Sequence, residues 1–167
     1  NGGLGYRISP HVKSPAYTVR NSQFEDRFDL YAKIGCRILR DHDGGVRGVD
    51  WSVVEWERGK FDFSHLDRQM ALYAKYNITL FPVMGDSFVE KTKYWQNLRW
   101  PLWAVPLSER VKDDPPNCAL GARGHILLPP KDLFRDYIYQ TVKHLKGRVP
   151  VYEITNEPNL YLSQEAY

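Results

Sequence analysis

An α/β fold, with a parallel sheet covered by helices, is what the sequence predicts, and three observations carry it. Amphipathic stretches of helical period alternate with short apolar runs, those runs are near-continuous in place of apolar-polar alternation, and glycines stand where two of the helices should stop. Strands buried on both faces are written as continuous apolar segments, and strand-helix alternation is the sequence form of a parallel sheet.

Taken in order, an apolar opening (Leu4, Tyr6, Ile8) precedes a proline-containing loop, and Ser22-Gln23-Phe24-Glu25 then has the form of a capping box. A helix is predicted from there, with Phe24, Phe28, Tyr31 and Ile34 on one face and Gly35 as its left-handed stop. Cys36 to Arg40 reads as a strand. A second capping signature, Ser64 with Asp67, opens a helix whose buried face is Leu66, Met70, Tyr73 and Ala74. It feeds a strand over Ile78 to Met84.

Between Gly85 and Lys131 no periodic element is legible, yet the segment contains Tyr94, Trp95, Trp100 and Trp103. Long loops in compact domains are usually functional. The clearest helix follows, marked by Leu133, Phe134, Tyr137, Ile138, Thr141, Val142 and Leu145 and ending near Gly147. Val149 to Thr155 is the strand after it.

At most four strand-helix repeats result. A dinucleotide-binding sheet is disfavoured, because Gly2-Gly3-x-Gly5 lies before or within the first strand and not after it. Four such strands also make half of a TIM (β/α)8 barrel, whose full length is typically about 250 residues. The chain opens on Asn1-Gly2-Gly3 in place of Met and stops at Tyr167 without a terminator signal. The expectation is therefore a partial barrel: strands 1 to 4 with their helices, residues 1–167 as one N-terminal half, truncated at both ends. A half-barrel has unpaired edge strands and an uncovered apolar interior, so it should aggregate or dimerise.

Composition bounds the partners. With 43% hydrophobic and 26% charged residues the chain is globular, which excludes disordered and collagenous classes. No apolar run approaches the roughly 18 residues of a membrane span, and Arg7, His11, Lys13 and Arg20 interrupt the first twenty positions, so neither a membrane segment nor a signal peptide is read here. The net charge of +3 comes from 23 basic and 20 acidic residues mixed along the chain, with no basic stripe for nucleic acid. Cys36 and Cys118 fit neither a disulfide framework nor a zinc site. Asp41-His42-Asp43 does not make a metal site either, since three successive residues in extended chain do not converge on one ion. No cofactor is implied. Aromatic residues, at 14%, exceed what a core this small normally uses, so some are expected to face a ligand.

The sharpest chemical feature is Val151-Tyr152-Glu153-Ile154-Thr155-Asn156-Glu157-Pro158-Asn159, an apolar strand ending in an amide, a carboxyl and a proline. Asn156 can donate to and accept from a ligand hydroxyl, Glu157 can give or take a proton, and Pro158 ends the strand by removing a ladder donor. Sugar chemistry needs that combination.

Here a resemblance becomes specific. Asn156-Glu157-Pro158 at the end of a fourth strand resembles the acid/base motif of the clan of retaining glycoside hydrolases built on (β/α)8 barrels. The longer Tyr-Glu-Ile-Thr-Asn-Glu-Pro-Asn form is most similar to glycoside hydrolase family 39, the β-xylosidase and α-iduronidase group. Trp51-Ser-Val-Val-Glu55 followed by Gly59-x-Phe61-Asp62-Phe63-Ser64-x-Leu66-Asp67 resembles the segment after strand two of the same enzymes, and the matches together span about residues 35 to 160. The resemblance implies hydrolysis of O-glycosidic bonds by retaining double displacement. Glu157 would be the general acid/base and Asn156 the residue that bonds the sugar 2-hydroxyl. The nucleophile would be a Glu on strand seven, which this chain lacks. Retention needs carboxyl groups about 5 to 5.5 Å apart, so the fragment alone is expected to be inactive. A carbohydrate-binding protein or pseudoenzyme without a second carboxylate, and a small α/β domain complete in itself, are the alternatives.

The remaining candidates each carry two readings. Glu153 shares face parity with Thr155 and Glu157, so it points into the barrel, where it needs a cationic or hydrogen-bonding partner; a structural role is favoured. By the resemblance Arg40, at the tip of strand two, supports the catalytic carboxylates; a plain surface salt bridge fits it equally. His42 is a cleft residue for sugar hydroxyls or an idle loop histidine. Trp95, Trp100 and Trp103 stack on pyranose rings or form a satellite core, with at least one of each kind expected. Trp51 and Trp56 are read as packing residues of the strand-two loop. The sequon Asn77-Ile78-Thr79 falls at the entrance to a buried strand and is expected to be silent.

Overall fold

A computed structural model describes residues 21–41, 48–85, 88–89, 100–101, 103–104, 107, 109–110 and 126–155. The first described element is α1 (Asn21–Lys33), which begins one residue before the serine of the expected capping box. Its stop is as expected: Gly35 has φ of 81°, and the Cys36 amide returns to the Tyr31 carbonyl at 2.9 Å. A left-handed glycine is the cheapest residue for that closure. Phe28 is buried, whereas Ile34, assigned to the same stripe, is exposed, because it lies in the closing turn beyond the last helical residue.

Next come β1 (Ile38–Asp41), the short helix α2 (Trp51–Val54), α3 (Ser64–Lys75) and β2 (Thr79–Gly85). Two-residue strands β3 (Phe88–Val89) and β4 (Glu109–Arg110) and the three-residue β5 (Ile126–Leu128) precede α4 (Lys131–Leu145), and β6 (Glu153–Thr155) closes the described chain. The segment after Gly85 therefore contains strands where no element was expected. Pieces of two or three residues are too short to display a period. They pair antiparallel in the order β3-β5-β4.

The principal sheet is parallel, in the order β1-β2-β6. That is the neighbour order expected of three successive strands joined by helical crossovers. Ile38 aligns with Thr79 and Arg40 with Phe81 on one side, and Val83 aligns with Glu153 and Gly85 with Thr155 on the other. Central β2 is mostly buried, while Ile38 on the flanking strand is 64% exposed. Leu80 and Met84 join the core with Phe28, Leu66, Met70, Tyr73, Tyr137 and Leu145. Ala74, expected on the buried face of α3, is exposed; Gln69 is buried in its stead.

The helix layer shows two departures from a regular repeat. Ser64 does not cap α3 through its side chain; the Asp62 carboxylate accepts the Ser64 amide at 2.9 Å, and the N-cap position is Phe63. Asp67 is thereby free of the expected capping role and reaches the end of α4, meeting His144 Nε2 at 2.8 Å and Arg148 Nη1 at 2.9 Å. The Phe63 ring stacks on the His144 imidazole with centroids 4.1 Å apart. The first turn of α3 thus meets the last turn of α4.

Burial acts to raise the Asp67 carboxyl, but its hydrogen bonds to His144 and Arg148 outweigh that, and it titrates below the ordinary aspartate value. The stability it contributes is complete above the unfolded-state value of about 4 and is lost as pH falls through the lower folded value. With 46% of the side chain exposed, solvent limits the contribution to about 1 kcal/mol or less. Urea melts of the wild type and Asp67→Asn should differ at pH 7 and converge on acidification below pH of about 4.

Candidate active site

Parallel strands put their C-terminal ends on one edge, so Asp41, Gly85 and Thr155 end on the same rim of the sheet. Val49, just before α2, and Met84, near the tip of β2, are joined by one side chain: the Tyr137 hydroxyl of α4 is shared between their two carbonyls, at 2.6 and 2.5 Å. Trp51 lies against that tyrosine, stacked with centroids 5.5 Å apart and an interplanar angle of 16°. Trp100 and Trp103, from the long segment after β2, pack on the other sides of Trp51 at 6.4 and 5.5 Å.

Glu55 ties this assembly together. Its carboxylate, in a residue only 4% exposed, accepts the Trp51 indole N–H at 2.6 Å and the Gly59 amide at 2.7 Å; its carbonyl accepts the Trp103 indole N–H at 3.2 Å. Buried charge is tolerated only with partners of this kind. Trp51 and Glu55 are four residues apart, one helical turn, and that spacing was the sequence signal for the contact. Both residues belong to the segment that resembles the one after strand two of the glycoside hydrolases, and the structure shows the bond between them.

On the sheet itself the charged pair is Arg40 with Glu153. Arg40 Nε and Nη2 donate to the two carboxylate oxygens at 2.7 and 2.6 Å. Their strands are not neighbours. Arg40 aligns with Phe81 and Glu153 with Val83, so the side chains share one face and meet across β2, a gap of about 9.5 Å that suits a long guanidinium side chain. Glu153 has the cationic partner expected of it, and Arg40 has a carboxylate, though a different one from Glu157. The side chains are 38% and 24% exposed, between a surface bridge and a buried one.

The aromatic candidates divide. Trp100 is 2% exposed and belongs to the core, so its ring offers no face to a ligand. Trp103 is partly buried, with the Arg58 guanidinium 6.0 Å from its ring centre, a cation-π distance. Trp51 packs as expected, but Trp56 does not: it is 45% exposed, because the Glu55 carboxylate faces inward and the next residue of the turn points away from it. Glu157, Asn156, His42 and Trp95 lie outside the described residues, as does Cys118. Among the described residues no group of three or more His, Cys, Asp or Glu is placed to hold a metal ion, and no helix is long and apolar enough to cross a membrane.

No protein-family model matches the chain, and no curated protein matches it. Among solved structures it is similar to xylanase 10B from Thermotoga petrophila RKU-1 in complex with xylobiose, with a TM-score of 0.48 and 14% identity, over 83% of this chain and 33% of that one. It is also similar to native xylanase 10B from Thermotoga maritima, with a TM-score of 0.49 and 14% identity, over 90% of this chain and 38% of that one. The chain therefore spans between 33% and 38% of the length of these xylanases.

Proposed function

We propose that the chain is part of the catalytic domain of a retaining glycoside hydrolase that cleaves O-glycosidic bonds in oligo- or polysaccharides, with Glu157 as its general acid/base and Asn156 bonding the sugar 2-hydroxyl. One observation carries the reading. β6, whose sequence runs directly into Asn156-Glu157-Pro158, pairs in parallel with β2, and the Arg40–Glu153 bridge links it across β2 to β1. In parallel α/β sheets catalytic groups come from the C-terminal strand ends and the residues just beyond them.

Two steps follow from these assignments. Glu157 in its acid form protonates the departing glycosidic oxygen while a second carboxylate attacks the anomeric carbon, giving a covalent glycosyl-enzyme. Glu157, now ionised, removes a proton from water, whose oxygen displaces that carboxylate and restores both groups. The attacking carboxylate is assigned to a Glu on a later strand of the full-length protein, and these 167 residues alone are expected to show no turnover.

Glu157→Gln in the full-length protein tests the reading. Loss of general acid catalysis should lower kcat on an unactivated oligosaccharide by about a hundredfold or more. With an aryl glycoside whose phenolate leaves without protonation, the glycosylation step should be largely spared and the glycosyl-enzyme should accumulate as a burst. Equal activity of the variant and wild type on both substrates rejects Glu157 as acid/base.

A further inference from the structure

We infer that Trp56 is a carbohydrate-stacking platform, a specificity-determining residue that holds a pyranose ring of an extended substrate at the rim of the cleft. The inference rests on the proposed glycoside chemistry for its ligand class and on the structure for its position. Trp56 is a large aromatic residue left 45% exposed on a loop whose other tryptophan, Trp51, is fully buried. The turn that displays it is braced on both sides. Before it, Glu55 is locked by Trp51 and by the Gly59 amide. After it, Glu57 and Lys60 form an antiparallel bridge closed by Gly59 at φ of 76°. The Asp62 amide returns to the Val54 carbonyl at 2.8 Å.

A braced turn fixes the backbone that carries the exposed ring, so less conformational freedom is lost when a ligand covers it than on a loose loop. Its flat face matches the C–H face of a pyranose, and its indole N–H can reach a hydroxyl. Nearby, Arg58 supplies a guanidinium, which lies over the Trp103 ring. Val49 is fastened beside Met84, near the tip of β2, through the Tyr137 hydroxyl; Trp51 stacks on that tyrosine and bonds Glu55, the residue before Trp56, which keeps this turn on the side of the sheet where β2 ends.

The test uses the full-length protein with Trp56→Ala and Trp56→Phe, and β-1,4-linked xylohexaose and cellohexaose as probes. Calorimetric titration in the Glu157→Gln background reads binding without turnover. At least one hexaose should bind Trp56→Ala about three- to tenfold more weakly, with Trp56→Phe keeping most of the affinity. An aryl monoglycoside, too short to reach the rim, should be turned over by Trp56→Ala within about twofold of wild type. Unchanged hexaose affinity in Trp56→Ala, or no measurable binding of either hexaose to the parent, overturns the inference. So does an equal loss on hexaose and monoglycoside, which marks a folding defect. Because the affinity readout needs no hydrolysis, Trp56 can pass while Glu157 fails as acid/base, and the reverse.

Discussion

Trp51→Ala is expected to cost about 3–5 kcal/mol of unfolding free energy. Four aromatic side chains meet this ring: Tyr137 stacks on it, Trp103 and Phe134 meet it edge-on at 5.5 and 5.9 Å, and Trp100 lies tilted at 6.4 Å. Removing it opens a cavity that rigid neighbours cannot fill, because Tyr137 is held by two backbone carbonyls and Trp103 by the Glu55 carbonyl. The cost depends on how far a site can collapse, and this one is pinned. Urea unfolding followed by circular dichroism measures it. Trp51→Phe should lose less, since it keeps a ring against Tyr137; a loss below about 1 kcal/mol for Trp51→Ala would mean that the aromatic cluster does not form.

The second large effect is expected at Glu55. Glu55→Ala leaves the Trp51 indole N–H and the Gly59 amide without their acceptor oxygens; an unmade bond in a buried place, as at the indole, costs about 1–3 kcal/mol, and less at the amide of exposed Gly59, which water can reach. A combined loss of about 2–4 kcal/mol is expected. Glu55→Gln provides a discriminating control. It keeps one acceptor oxygen but turns an NH2 toward one of the two donors, so its loss should fall between wild type and alanine. A double-mutant cycle with Trp51→Phe, which lacks the indole donor, should show strong coupling between the two positions. Additive losses would indicate that the indole bond contributes nothing.

How much of this was legible in the sequence differs by residue. Gly35 and Gly147 read correctly as helix stops because one conformational requirement, positive φ, selects glycine almost regardless of surroundings. Leu66, Met70 and Tyr73 read correctly because a helix buries one stripe at a fixed period. Glu153 read correctly as a carboxylate needing a cationic or hydrogen-bonding partner, since the energetics of burial impose one even when its identity is hidden. That the partner is Arg40, two strands away, depends on register, which no local pattern contains.

The misreadings have equally physical origins. Ser64 and Asp67 match a capping box, but Asp62 already satisfies the Ser64 amide, and Asp67 gains two hydrogen-bonding partners instead, His144 in the last turn of α4 and Arg148 just beyond it. Trp56, read as a packing residue, is exposed, while Trp100, which fitted either a stacking or a core role, is buried. Composition says how many tryptophans there are, and only the packing around Trp51 decides which one goes inside.

The bridging hydroxyl of Tyr137 has a mechanical consequence. A single O–H carries one proton, so the carbonyls of Val49 and Met84 compete for it. If either backbone segment drifts outward, the proton settles wholly on the other and tightens its grip there. The Val49 and Met84 backbone segments are therefore coupled through a single α4 proton, and whichever of them loses it leaves its partner the stronger hold.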